Sequence, residues 1–254
     1  MTLSRLLDAR RGPDRLVLIR HGESVGNLAD AEARERGADR LDLDARDADV
    51  ELSETGRNQA DAVGRWLAKV DDDDRPTVVL SSPYRRAAET ARRAVADVDL
   101  EVVLDERLRE RDLGVFDGMT GHGIRSEYPK EAERRKKLGK FYYQPPSGES
   151  WCDVVLRVRQ LMSDVREGFD GANVWLFTHQ AVIMSFRYVL EGLSEQELLE
   201  LDGSVTLGNA SVTRYERGGS GYELEAFADT SAVDASDEKV THEESRAGDG
   251  DAAS

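Results

Sequence analysis

Cysteine is almost absent from this chain: one residue in 254, Cys152. That excludes an internal disulfide, and no CxxC or paired Cys/His spacing supplies a structural zinc site. Such usage fits a reducing compartment, so a cytoplasmic setting is expected. Long apolar runs are missing too. The most apolar segment, 174–189, is interrupted by His179, Gln180 and Arg187, well short of the roughly 20 apolar residues a spanning helix needs. Residues 1–13 mix Arg5, Asp8, Arg10 and Arg11 with short apolar pairs, unlike a secretory signal. Positive charge is in deficit, with Lys+Arg 35 against Asp+Glu 51 and a net charge of -16. Such a field repels nucleic acid and anionic membranes, and neither is expected as a partner. Neither a Walker A nor a GxGxxG sequence is present to cradle a nucleotide. The acidic stretch Asp42, Asp44, Asp47, Asp49 and Glu51 lacks the central glycine and spacing of a calcium loop, so it reads as a solvated loop. No metal and no cofactor are expected.

What is present is a globular composition, 39% hydrophobic with 22 Gly, long enough to remove roughly 70% of the unfolded surface from water. Short apolar runs at 16–19, 77–80, 102–104 and 174–177 read as strands. Between and after them, residues 54–70, 84–96, 150–168, 181–191 and 194–201 carry apolar positions at helical spacing. Ser53 and Ser194 precede two of these runs as N-caps. A hairpin is predicted around Arg217-Gly218-Gly219-Ser220-Gly221. Strands alternating with helices predict an α/β fold, a three-layer α/β/α sandwich on a mainly parallel sheet. From Asp229 onward eight acidic residues face only Lys239 and Arg246. Residues 229–254 are therefore expected to be a disordered acidic tail behind a domain spanning 1–228. An insertion at about 119–147 combines Arg134, Arg135, Lys136, Lys137 and Lys140 with Phe141-Tyr142-Tyr143. It is expected to form a small cap, its basic face either recognising substrate or simply solvated.

Chemistry concentrates where strands end, the edge at which open α/β sheets bind ligands. The first strand runs into Arg20-His21-Gly22-Glu23-Ser24, with Asn27 following. The glycine lets backbone amides approach an anion, and Arg20 offers a fork matched to phosphate oxygens. A second strand end reads Ser81-Ser82-Pro83-Tyr84-Arg85-Arg86-Ala87, a third region Leu108-Arg109-Glu110 before Gly114, and a fourth Thr178-His179-Gln180.

In this order, these motifs resemble the histidine phosphatase superfamily, the phosphoglycerate-mutase-like clan. Leu52-Ser53-Glu54-Thr55-Gly56-Arg57-Asn58-Gln59-Ala60 and Gly148-Glu149-Ser150 are two further matches. The resemblance implies that His21 is the nucleophile and that Arg20, Arg86 and His179 hold the phosphoryl oxygens. It implies that Glu110 donates the proton to the leaving group, a role that burial would assist by raising its pKa. Gly22, Ser24, Asn27, Arg111 and Gln180 are the further substrate-binding candidates. Of the two adjacent arginines the motif selects Arg86, leaving Arg85 as a surface cation. Glu110-Arg111-Asp112-Leu113-Gly114 lacks two residues of the mutase pattern, and His179-Gln180-Ala181 is similar to fructose-2,6-bisphosphatase domains. The resemblance therefore implies a phosphomonoesterase acting on a small phosphorylated metabolite, with a phosphoglycerate mutase as the alternative and, behind it, a silent phospho-ligand module.

Overall fold

In a computed structural model, the described residues are 11–236 and 238–242. A six-stranded sheet has the order β3-β2-β4-β1-β5-β6. Its strands are β1 (Arg15–Arg20), β2 (Val78–Ser81), β3 (Val102–Leu104), β4 (Asn173–Thr178), β5 (Val212–Gly218) and β6 (Gly221–Asp229). The pairs β1·β4, β2·β4 and β2·β3 are parallel, while β5 and β6 extend the sheet antiparallel. The predicted hairpin closes through Gly219-Ser220.

Each inner strand is apolar on both faces, as a covered parallel sheet requires. Leu16, Leu18, Val174 and Leu176 face one core; Val17, Ile19, Trp175 and Phe177 face the other. The first core is completed by α6 (Trp151–Gly168) and α7 (Gln180–Arg187), the second by α2 (Glu54–Leu67) and α3 (Arg85–Ala94). Three layers follow from this alternation. Helix starts are satisfied locally: Ser53 Oγ accepts from the Gly56 amide at 3.0 Å, and Ser150 with Asp153 forms a capping box. Ser194 and Glu197 cap α8 (Glu195–Ser204) in the same way.

Several expectations need correction. The helix α1 (Val25–Glu35), capped by Ser24, was not anticipated, because its sequence VGNLADAEARE buries only small or polar residues, Gly26, Asp30 and Ala33. The insertion holds two helices, α4 (Gly121–Glu127) and α5 (Pro129–Leu138), and α5 buries none of its residues. Arg134, Lys136 and Lys137 are exposed and Arg135 is half-buried, while Phe141 and Tyr143 are buried beside them.

The supposed tail is ordered at its start. Asp229 ends β6, α9 (Ser231–Asp234) buries Ala232 and Val233, and His242 bridges Gly208. Composition concealed this because a few apolar contacts and backbone bonds suffice to hold an acidic segment. Residues 243–254 lie outside the described residues. Among the described residues no helix is long and apolar enough to cross a membrane.

Candidate active site

The carboxyl ends of β1, β2 and β4 lie side by side, and the loops leaving them bound a cavity of about 540 Å³. His21, Ser24, Asn27, Arg86, Glu110, Arg111 and Gln180, from four separate stretches of chain, line it. Arg20, Gly22 and His179 stand behind this wall and are buried.

His21 is oriented by its own backbone. Its Nδ1 lies 2.7 Å from the Gly22 carbonyl, which can only accept, so the ring proton sits on Nδ1 and Nε2 keeps its lone pair. Arg86 Nε approaches that lone pair at 3.4 Å. The loop carrying His21 is clamped against α2, where the Gly22 and Gly56 backbones nearly touch. A Cβ on Gly22 would meet Gly56 O at 2.4 Å. The Gly22 amide donates to Thr90 Oγ1 at 3.1 Å rather than facing the cavity. The expectation that Gly22 binds an anion is therefore corrected: its glycine is required by close packing. Ser24 and Asn27 cap α1 through reciprocal bonds, which accounts for both before any ligand is considered.

His179 adds a second neutral imidazole, its ring centroid 5.1 Å from that of His21. Ser82 Oγ accepts the Tyr84 amide at 3.2 Å and lies 2.9 Å from His179 Nε2. The buried His179 Nδ1 has no hydrogen-bond partner among the described residues, an unsatisfied polar atom of the kind that folded interiors rarely tolerate. Arg20 is fully buried, its guanidinium donating to the Leu207 carbonyl.

Burial, reinforced by Arg86 and Arg20, holds the His21 pKa well below 6.5. Burial, then Arg86 and His21, does the same for His179. Unfolding at acidic pH therefore takes up protons at both rings. Their contribution to stability is complete above about pH 6.5 and declines as pH falls below it toward the lowered folded values. Thermal unfolding followed from about pH 8 to 5 is expected to show a falling Tm on the acid side. The variant His179→Asn is expected to flatten that slope, and an unchanged slope would refute the assignment.

Glu110 is set by a network that sequence motifs only hinted at. Glu149 receives Arg109 Nη2 at 2.6 Å and Arg157 Nε at 3.0 Å. Arg157 in turn donates to the carbonyls of Arg107 and Glu110. This ties the 105–112 loop to the start of α6. Glu110 Oε1 accepts the Arg111 amide at 2.7 Å, and Oε2 faces the Ala181 amide at 3.5 Å, at the first turn of α7. Arg111 lies over Trp151 with its Cζ 5.4 Å from the ring. Arg85 points outward to Glu51 at 2.5 Å.

A model of the histidine phosphatase superfamily (branch 1) matches residues 16–230. The chain belongs to the histidine phosphatase superfamily. It is 32% identical over 208 residues to a glucosyl-3-phosphoglycerate phosphatase of Mycobacterium tuberculosis, covering 79% of this chain and 84% of that one. It is also 32% identical over 189 residues to a bifunctional protein of the same organism, covering 72% of this chain and 46% of that one, so it spans less than half of that relative. A solved structure of mycobacterial glucosyl-3-phosphoglycerate phosphatase with VO3 superposes with a TM-score of 0.68 at 29% identity, covering 85% and 99% of the two chains. The histidine phosphatase fold and the mostly parallel sheet expected from sequence are thus found.

This superfamily member has cavity residues that motif reading missed. Asp202, nearly fully buried, pairs with Lys140 Nζ at 3.0 Å and faces Gln180 Nε2 at 3.5 Å. Asp47, read as part of a solvated loop, lines the cavity and pairs with Arg86 at 3.0 Å. Arg134 and Lys137 of α5 are not among the residues lining this cavity. Asp202 and Asp47 belong to no local motif, and only the folded chain brings them to the wall. Asn209 and Gln59, each buried, brace the His21 loop from behind. Asn209 Nδ2 donates to the His21 carbonyl at 3.3 Å, and Gln59 Oε1 accepts the Glu23 amide at 2.8 Å.

Proposed function

We propose that this chain is a phosphomonoesterase that hydrolyses a small phosphorylated metabolite through a phosphohistidine at His21, metal-independently, with Glu110 as proton donor. The observation that carries this reading is the His21 Nε2 lone pair. It is neutral, fixed by the Nδ1 bond, and sits beside the Arg86 guanidinium in the cavity that Glu110 also lines.

In the first step Nε2 attacks phosphorus, the ester P–O bond breaks, and Glu110 delivers its proton to the departing oxygen. In the second, the Glu110 carboxylate takes a proton from water, whose oxygen attacks phosphorus as the N–P bond breaks. Charge on the transferring phosphoryl oxygens is met by Arg86 on the cavity wall, with the buried Arg20 and His179 directly behind it. The single free Cys152 fits the reducing conditions of a cytoplasmic setting.

The test is phosphate release from a panel containing p-nitrophenyl phosphate, glucosyl-3-phosphoglycerate, fructose 2,6-bisphosphate and the phosphoglycerates, with an alkaline denaturing quench to trap an acid-labile, alkali-stable phosphoprotein. Steady phosphate release with a trapped phosphohistidine is expected. Interconversion of 2- and 3-phosphoglycerate with little free phosphate would make the chain a mutase. Absence of both would leave a binding module.

A further inference from the structure

The acidic loop between α1 and α2 places one carboxylate on the arginine that the phosphoryl group needs. Arg86 presents a complete fork. Its Nε faces His21 Nε2 at 3.4 Å, its Nη1 donates to the Asp47 carbonyl at 2.6 Å and lies 3.0 Å from Oδ1, and its Nη2 lies 3.3 Å from Oδ2. Backbone and side chain of one residue thus occupy the outer edge of the guanidinium.

This is a built contact rather than a passing surface pair. Arg86 is 6% exposed in its side chain and Asp47 31%. The loop is pinned on both sides, by the Leu41 amide on the Gly118 carbonyl at 2.9 Å and the Val25 amide on the Glu51 carbonyl at 3.0 Å. Asp47 opens the 3-10 turn Asp47–Asp49, and buried Val50 follows it. The neighbouring Arg46 is engaged elsewhere, with Asp49 at 2.6 Å.

Carboxylate and phosphate use the same paired-donor geometry on a guanidinium. A phosphoryl group on His21 Nε2 must therefore displace the Asp47 carboxylate or lie beside its charge, and either event weakens phosphoryl binding. The effect falls unequally on different ligands. An ester regains affinity from the far wall of the cavity, around Arg111, Gln180 and Asp202, whereas orthophosphate has nothing beyond its own oxygens to offer.

We propose that Asp47 is a specificity-determining residue that competes with the phosphoryl group for Arg86, so that the site favours phosphate esters over free orthophosphate and sheds its inorganic product. The proposal rests on the phosphatase reading above.

The experiment measures Ki for orthophosphate, with kcat and KM for p-nitrophenyl phosphate, in the intact chain and in Asp47→Asn, Asp47→Ser and Arg86→Ala. Both Asp47 variants are expected to lower the orthophosphate Ki by roughly 10-fold, the scale set by trading a charged hydrogen bond for a neutral one. Two replacements of different size keep the result independent of how either one packs. An unchanged Ki overturns the proposal. A raised Ki with lowered kcat overturns it as well, since Asp47 would then be positioning Arg86 for the phosphoryl group. The Arg86→Ala arm separates a different failure. If it leaves the orthophosphate Ki untouched, phosphate does not bind at Arg86, and the site reading falls together with the proposal.

Discussion

Replacing His21 by alanine is expected to lower turnover of any good phosphomonoester by about 10³-fold or more, because no covalent route exists without the attacking nitrogen. The structure makes the expectation specific to one atom. Nε2 alone carries an available lone pair, Nδ1 being bound to the Gly22 carbonyl. The variant should also yield no alkali-stable, acid-labile phosphoprotein after the quench, where the parent yields one. Alanine opens space without adding charge, so the fold around Thr90 and Gly56 has no reason to rearrange. Near-parental activity in a steady-state assay with p-nitrophenyl phosphate would remove His21 from the mechanism.

Arg86→Ala is expected to reduce kcat/KM by about 10² to 10³-fold, the usual scale for deleting one preorganised donor to a developing anion. The loss should appear in kcat as well as KM, because charge on the transferring oxygens is greatest at the transition state. Arg86→Lys should recover only part of it. An ammonium keeps the charge but not the planar fork that spans from His21 to the outer edge of the site. Equal kinetics for Arg86→Ala and the parent, measured on the same panel, would show that another cation carries the phosphoryl group.

Much of this site was legible in the sequence because its parts are strand-end motifs. His21, Arg86 and Glu110 each lie within a few residues of a recognisable apolar strand or turn, and the sheet order brings those ends together. Legibility failed where local pattern and tertiary role diverge. Gly22 looked like an anion-binding glycine, yet it is the space filled by α2 that requires it. Asp47 looked solvated among neighbouring acids, and only the packing of its loop against α3 sets it on Arg86. Asp202 carries no motif at the end of α8, and its pairing with Lys140 spans 62 residues of chain. The start of the acidic tail was misread for a related reason. Composition averages over residues, whereas a strand end, two buried side chains and a few backbone bonds act at single positions.

The last described residues reach back to the first strand. Gln59 Nε2 donates to the Lys239 carbonyl at 2.8 Å and to Thr241 Oγ1 at 3.0 Å, and Asn209 is joined to Thr241 through both backbone and side chain. Those same two residues hold the Glu23 amide and the His21 carbonyl. His21 leaves the ribosome before Thr241 does, so the knot that steadies its loop cannot be tied until Thr241 has been synthesised. Bracing of the His21 loop thus waits on residues that follow every strand of the sheet, even though β1 and β4 are synthesised well before them.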